Sequence, residues 1–138
     1  MAKTTATATE KYTATIRESS KELTPKERVM YKDFSNGVSM VDFVHAQREA
    51  GEKATIDFAD YVIIDVHNPK ADDNKDYTVY LLTDKNGNKF YTSSEAFWSA
   101  FSNIYEEMQE SDEAWGVELV LIPSNKYKGK EILTCSLI

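Results

Sequence analysis

The chain's supply of nucleophiles and bases is small: one cysteine, Cys135, and two histidines, His45 and His67. Cys135 alternates with Leu133 and Leu137 in a stretch that reads as a strand, so its thiol is expected in the core rather than at a reaction centre. His45 falls in a helical segment and His67 at a strand end, and neither has a neighbour in sequence that would make it a general base. One cysteine and two distant histidines cannot supply zinc-type Cys/His spacing. The five glycines are scattered and form no phosphate-cradling loop. Asp72, Asp73 and Asp76 could meet a divalent cation, but they lack the spaced ligand order of a calcium loop and read as a solvated turn. No catalysis, no metal and no cofactor are expected.

Binding chemistry is better represented. Val79 and Leu81 are expected to point into the core, which turns Thr78, Tyr80 and Leu82 outward. Tyr91, beside Lys89 on the next strand, adds a second aromatic ring. Proteins that hold single-stranded nucleic acid stack unpaired bases on aromatic faces and follow the backbone with cations. The segment Ser124-Asn125-Lys126-Tyr127-Lys128-Gly129-Lys130 interleaves three lysines with a tyrosine, in a half of the chain that is otherwise acidic. The candidate nucleic-acid contacts are therefore Tyr80, Lys89, Tyr91, Lys126, Tyr127, Lys128 and Lys130. Trp98 and Trp115 read as core or barrel-lid packing, with ligand stacking as the alternative, and Trp98 neighbours the buried helix face without being on it.

The elements that must position these residues follow from pattern. Residues 1–12, nearly all Thr, Ala and Lys, read as a disordered tail. Residues 13–20 are left open as strand or extended arm. Thr24-Pro25-Lys26-Glu27 is a capping box with proline at the first helical position, and Asn36-Gly37 ends that helix. Residues 39–50 place Met40, Phe43, Val44 and Gln47 on one helical face. From Ala54 the pattern turns to β: residues 55–67, then 77–82 and 89–92 around an Asn86-Gly87 turn. A helix opens from a capping box at Thr92 and Glu95 and carries Phe97, Phe101, Ile104 and Tyr105. Strands at 115–122 and 130–137 close the chain. The order β, β-turn-β, α, β, loop, β is that of an OB-fold five-strand barrel with one inserted helix. The fold class is thus mainly β: an OB barrel over 54–138, preceded by a partly helical segment, 13–53, that packs on it.

The runs Lys75–Leu82, Gly87–Thr92 and Ser94–Phe97, with Pro123–Lys130 and Leu133–Ser136, resemble small phage-encoded single-stranded-DNA-binding proteins with an OB-fold. The resemblance implies a replication or recombination accessory factor that coats single strands. It also implies stacking by Tyr80 and Tyr91, phosphate pairing by Lys89, Lys126, Lys128 and Lys130, and either role for Tyr127. Unlike many such proteins, the chain ends in an apolar strand rather than an acidic tail.

The net charge of −7 is uneven: from Ala54 onward acids outnumber lysines about two to one. That argues against loose attachment to duplex DNA. It also frames a competing reading, an acidic protein-binding module of a phage or mobile element that inhibits a host nucleic-acid-binding protein. Its array would be Asp65, Asp72, Asp73, Asp76, Glu106, Glu107, Glu110, Asp112 and Glu113. A lone cysteine, an N-terminus without an apolar leader and no membrane-length apolar run point to the cytoplasm. Replication proteins are candidate partners, as is a second copy of the chain.

Overall fold

The computed structural model describes residues 11–71 and 75–138. Most of the expected tail, and the expected turn residues Asp72 and Asp73, lie outside that part. The fold is mainly β, a curled half-barrel sheet with three helices. Its strands are β1 (Thr13–Ser19), β2 (Val38–Ser39), β3 (Ala54–His67), β4 (Asp76–Asp84), β5 (Lys89–Thr92), β6 (Gly116–Pro123) and β7 (Glu131–Leu137). The helices are α1 (Pro25–Lys32), α2 (Met40–Glu49) and α3 (Glu95–Met108), and a 3-10 turn spans Phe34–Asn36.

The long strand β3 organises the sheet. Its first residues, Ala54 to Asp57, pair antiparallel with β6, while Val62 to His67 pair with both β1 and β4. Between the halves the β3–β4 register slips at Phe58 and Asp60. An extra residue in one strand bends it and steepens its twist, which lets β3 serve both halves of the curl. The residues left open at 13–20 are therefore a strand.

Local chemistry fixes the element ends. Thr24 and Glu27 form the expected reciprocal cap of α1, with Pro25 at its start. At α3 the cap is Ser94, whose Oγ accepts from the Phe97 amide, two residues beyond the expected Thr92. Thr92 instead accepts from the Ser94 amide and shapes the approach. The β4–β5 turn is held by the Asp84 carboxylate, which accepts from the amides of Asn86 and Asn88, and Gly87 takes φ 85°.

Burial separates into two clusters on opposite faces of β3 and β4. The inner one gathers Tyr61, Ile63, Tyr80, Leu82 and Phe90 with Met40 and Val44 of α2, Phe97 and Phe101 of α3, and Leu119, Leu121 and Leu133. The outer one gathers Val62, Ile64, Val66, Val79 and Leu81 under Leu23, Ile16, Tyr31 and Phe34. The segment before the barrel thus covers a whole sheet face. Strands buried on both faces carry apolar residues at successive positions rather than alternating with polar ones, as β3 does from Tyr61 to Ile64.

The curl is open along one seam. The sheet runs β2-β5-β4-β3-β6-β7, so β5 and β7 do not pair, and β5 has the short parallel β2 beside it. β5 is only four residues long before the chain turns into α3. A side-chain bond, Ser94 Oγ to the Leu133 carbonyl at 3.5 Å, spans the seam where a closed barrel would have a ladder.

Candidate nucleic-acid interface

Three of the seven expected contact residues lie within the packed sheet. Tyr80 does not face outward. It is 7% exposed and stacks on Trp98, with ring centroids 5.0 Å apart and planes within 4°. The orientation fails because β4 is apolar on both faces, so Val79 and Tyr80 are each buried, on opposite sides. Tyr91 lies on the outer face but meets Phe34 edge-on at 5.5 Å. Lys89 bends back to α1, its Nζ donating to the carbonyls of Met30 (2.9 Å) and Asp33 (3.2 Å). A cation there satisfies carbonyls that a helix end leaves unpaired. The expected contacts are thus split between two covered faces: Tyr80 is turned to the inner face under α3, and the outer face with Tyr91 is occupied by residues 14–34 of the same chain.

The other four are brought together on the β6–β7 finger. Ser124 anchors it: its amide donates to the Lys130 carbonyl (2.9 Å), and its Oγ accepts from the amides of Lys126 (3.2 Å) and Tyr127 (3.1 Å). The Lys130 amide returns to the Tyr127 carbonyl at 3.1 Å, and Gly129 takes φ 80°, a region open to glycine at little cost. The loop is thus hydrogen-bonded across its base while Lys126, Tyr127, Lys128 and Lys130 are all exposed. Tyr127 is 59% exposed, and the Lys126 Nζ sits 5.5 Å from its ring centroid.

Below the finger is an apolar floor that the sequence reading missed. Ile122 and Ile132 are directly paired across β6 and β7 and remain 44% and 36% exposed. Ile132 lines a shallow cleft of ≈ 470 Å³ with Ser124, Lys126, Tyr127, Lys130 and Glu131. The signal was present: Leu121 and Leu133 alternate with Ile122 and Ile132, so only one pair can face the core. The arrangement offers a planar ring and an aliphatic surface to a flat apolar partner, flanked by lysine donors for anionic groups and by the one carboxylate of Glu131.

The remaining chemistry-bearing residues are held structurally. Trp115 stacks on Phe58 at 4.5 Å, and Trp98 packs on Tyr80 and Tyr61. Cys135 is buried, and burial pushes its thiol up to about 12. Arg17 pairs with Asp65, which also accepts from Thr78 Oγ1. The guanidinium hydrogen bond is the main reason that the Asp65 carboxyl lies below its usual range. His67 Nδ1 lies 2.7 Å from Asp76 Oδ1. Among the described residues, no group of three or more His, Cys, Asp or Glu side chains is placed to hold a metal ion. No helix among the described residues is long and apolar enough to cross a membrane.

Compared with known proteins, the chain matches no family model, no curated protein and no solved structure.

Proposed function

We propose that this chain binds single-stranded nucleic acid, DNA in the first place, through the β6–β7 finger, as a replication or recombination accessory factor of phage type. The observation that carries the reading is the finger itself. Three lysines and an exposed tyrosine stand over an apolar pair, on a loop whose base is fixed by hydrogen bonds. Each part matches a need of an unpaired strand: rings and aliphatic carbon for the bases, ammonium groups for the phosphates. The element order from β3 to β7, with a bent first strand shared between both halves of the curl, supports an OB-like scaffold left open at the β5–β7 seam. In such scaffolds the loop between the last two strands is one of the ligand-holding loops. What differs is the sheet face, which the N-terminal segment fills, so the load falls on the finger.

The test is fluorescence anisotropy of a labelled oligo-dT of roughly 30 nucleotides, long enough to exceed the site of one OB unit. Labelled DNA is preferable to intrinsic fluorescence because both tryptophans are packed away from the finger. Binding should saturate and weaken as salt rises. Replacing Lys126, Lys128 and Lys130 together by alanine should flatten the salt slope by about 2, at roughly 0.7 per single-strand phosphate contact. No anisotropy change at micromolar protein in low salt would sink the reading.

One observation favours the second reading, an acidic module aimed at a basic host protein. Glu106, Glu107, Glu110, Asp112 and Glu113 are all exposed around the end of α3, whose last turn holds no basic residue. Such a protein would ignore oligo-dT and be retained by a basic nucleic-acid-binding partner.

A further inference from the structure

The outer face of β6 and β7 changes character along its length. Glu118, Val120 and Ile122 alternate with the buried Val117, Leu119 and Leu121, so they point away from the core. On β7, Thr134 and Ile132 lie opposite Val120 and Ile122. On β3, Thr55 pairs with Glu118, and Asp57 two residues on shares the same face. Toward α2, Glu118 meets Glu52, Lys53 and Arg48 in one cleft, but the Arg48 guanidinium is engaged by Glu131, 3.6 Å away at the root of the finger. Three carboxylates, Glu52, Asp57 and Glu118, therefore outweigh Lys53 at that end. At the other end the pairing of Glu131 leaves the finger lysines in excess. Between the ends the surface is aliphatic, and Ile122 and Ile132 stay exposed. Among the described residues, no segment buries this face as residues 14–34 bury the outer face of β4.

A strip that runs from acid through apolar to base is complementary to itself turned end for end, which is what a two-fold interface requires. We propose that this face docks a second copy of the chain, with β6 of each copy antiparallel to β6 of the other and the two-fold axis level with Leu121. Three residues separate Leu121 from Glu118 on one side and from Ser124 on the other, about 10 Å each at ~3.3 Å per residue. That register brings Glu118 of each copy level with Ser124 and Lys130 of the other, the residues that bond across the finger's base. It also lays Val120 and Thr134 on Ile122 and Ile132, so the aliphatic middle leaves water in both copies. The proposal does not rest on strand binding. A strand and a second copy draw on the same isoleucines and lysines, so the two occupants exclude each other.

Sedimentation velocity of the full chain, without nucleic acid and at 0.15 M salt, tests it. The Debye length is then about 8 Å, and the long-range repulsion between two chains of charge −7 is screened. The wild type should pass from monomer to dimer as its concentration approaches about 1 mM, the range of weak association. Glu118→Lys and Lys130→Glu each turn both end pairs of the dimer from attractive to repulsive and should weaken it about tenfold. Lys130 enters the finger's hydrogen bonds through its backbone, so reversing its side chain leaves the loop in place. An equimolar mixture of the two single variants should dimerise, and so should the chain carrying both substitutions, because each restores opposite charges at both ends. A wild type that stays monomeric, single variants that dimerise as the wild type does, or no rescue by mixing overturns the docking face. The oligo-dT assay keeps the two readings apart. A monomeric wild type that binds oligo-dT loses the dimer and keeps the finger reading, whereas a rescued dimer with no anisotropy change keeps the dimer and loses the finger reading.

Discussion

At the residue scale, two tyrosines that look alike in sequence are separated by their surroundings. Tyr80 is a core side chain stacked on Trp98, whereas Tyr127 is exposed on a loop. Tyr80→Ala should therefore cost about 3–5 kcal/mol of stability, as truncating a buried aromatic does, and its effect on binding should follow from the loss of fold. Tyr127→Ala should leave the urea midpoint unchanged and weaken oligo-dT binding by about 1–3 kcal/mol, the worth of one stacked base. Finding the opposite pattern in paired denaturation and anisotropy experiments would reverse the assignment. Tyr61 supplies a pH-dependent counterpart. Burial first, and then its hydrogen bond to Glu18 Oε2 at 2.5 Å, raise its phenol above the ordinary 10.0. A folded value above the unfolded one gives stability that is complete below about pH 10 and lost as pH rises through the folded value. Tyr61→Phe should thus make stability fall less steeply on the alkaline side than in the wild type, read from urea midpoints across that range.

At the scale of elements, the sequence was most legible where one face of a segment is polar and the other apolar. α3 and the Asn-Gly hairpin lie close to where their patterns place them, and the capping box of α1 was readable residue by residue. Legibility failed where both faces are apolar. In Tyr77-Thr78-Val79-Tyr80-Leu81-Leu82 alternation cannot say which set faces the barrel, because the second cluster that covers Val79 and Leu81 comes from residues some fifty positions earlier. The same long-range packing withdrew Tyr91 and Lys89 from the candidate interface, whereas the finger could be read locally because its four residues are neighbours in one turn. The β3–β6 junction is another feature visible only in three dimensions. A Cβ placed on Gly116 would lie 2.4 Å from the Ile56 carbonyl oxygen, a backbone atom that can yield only if the strands part. Gly116→Ala should therefore destabilise the protein by about 1–3 kcal/mol, the usual cost of overpacking. Gly51→Ala, where a Cβ meets nothing within 4 Å but φ is +72°, isolates the separate cost of the backbone conformation. Equal urea midpoints for Gly116→Ala and the wild type would show that the junction is not closely packed.

At the scale of the whole molecule, the difficulty for a strand binder is its charge of −7, and β6 shows how the field is distributed. Gly116, next to Trp115, begins β6 on the side that follows α3 and its acidic end, while Pro123 carries the finger. Seven residues of strand separate them, about 23 Å at ~3.3 Å per residue. The Debye length is roughly 30 Å at 0.01 M salt and about 8 Å at 0.15 M. Repulsion from Glu106, Glu107 and Glu110 therefore reaches the finger in dilute buffer and is screened from it near physiological ionic strength. Two opposing salt effects follow: screening of the lysine–phosphate contacts weakens binding, and screening of the acidic end assists it. Replacing the three glutamates by glutamine should raise oligo-dT affinity at 0.01 M salt and leave it unchanged at 0.15 M, and so steepen the salt slope. The finger lysine variant should shift the slope the other way. If the glutamine variant binds oligo-dT as the wild type does at both salt concentrations while losing retention on a basic protein, the acidic end is itself a binding face. The second reading of the molecule would then hold for that end.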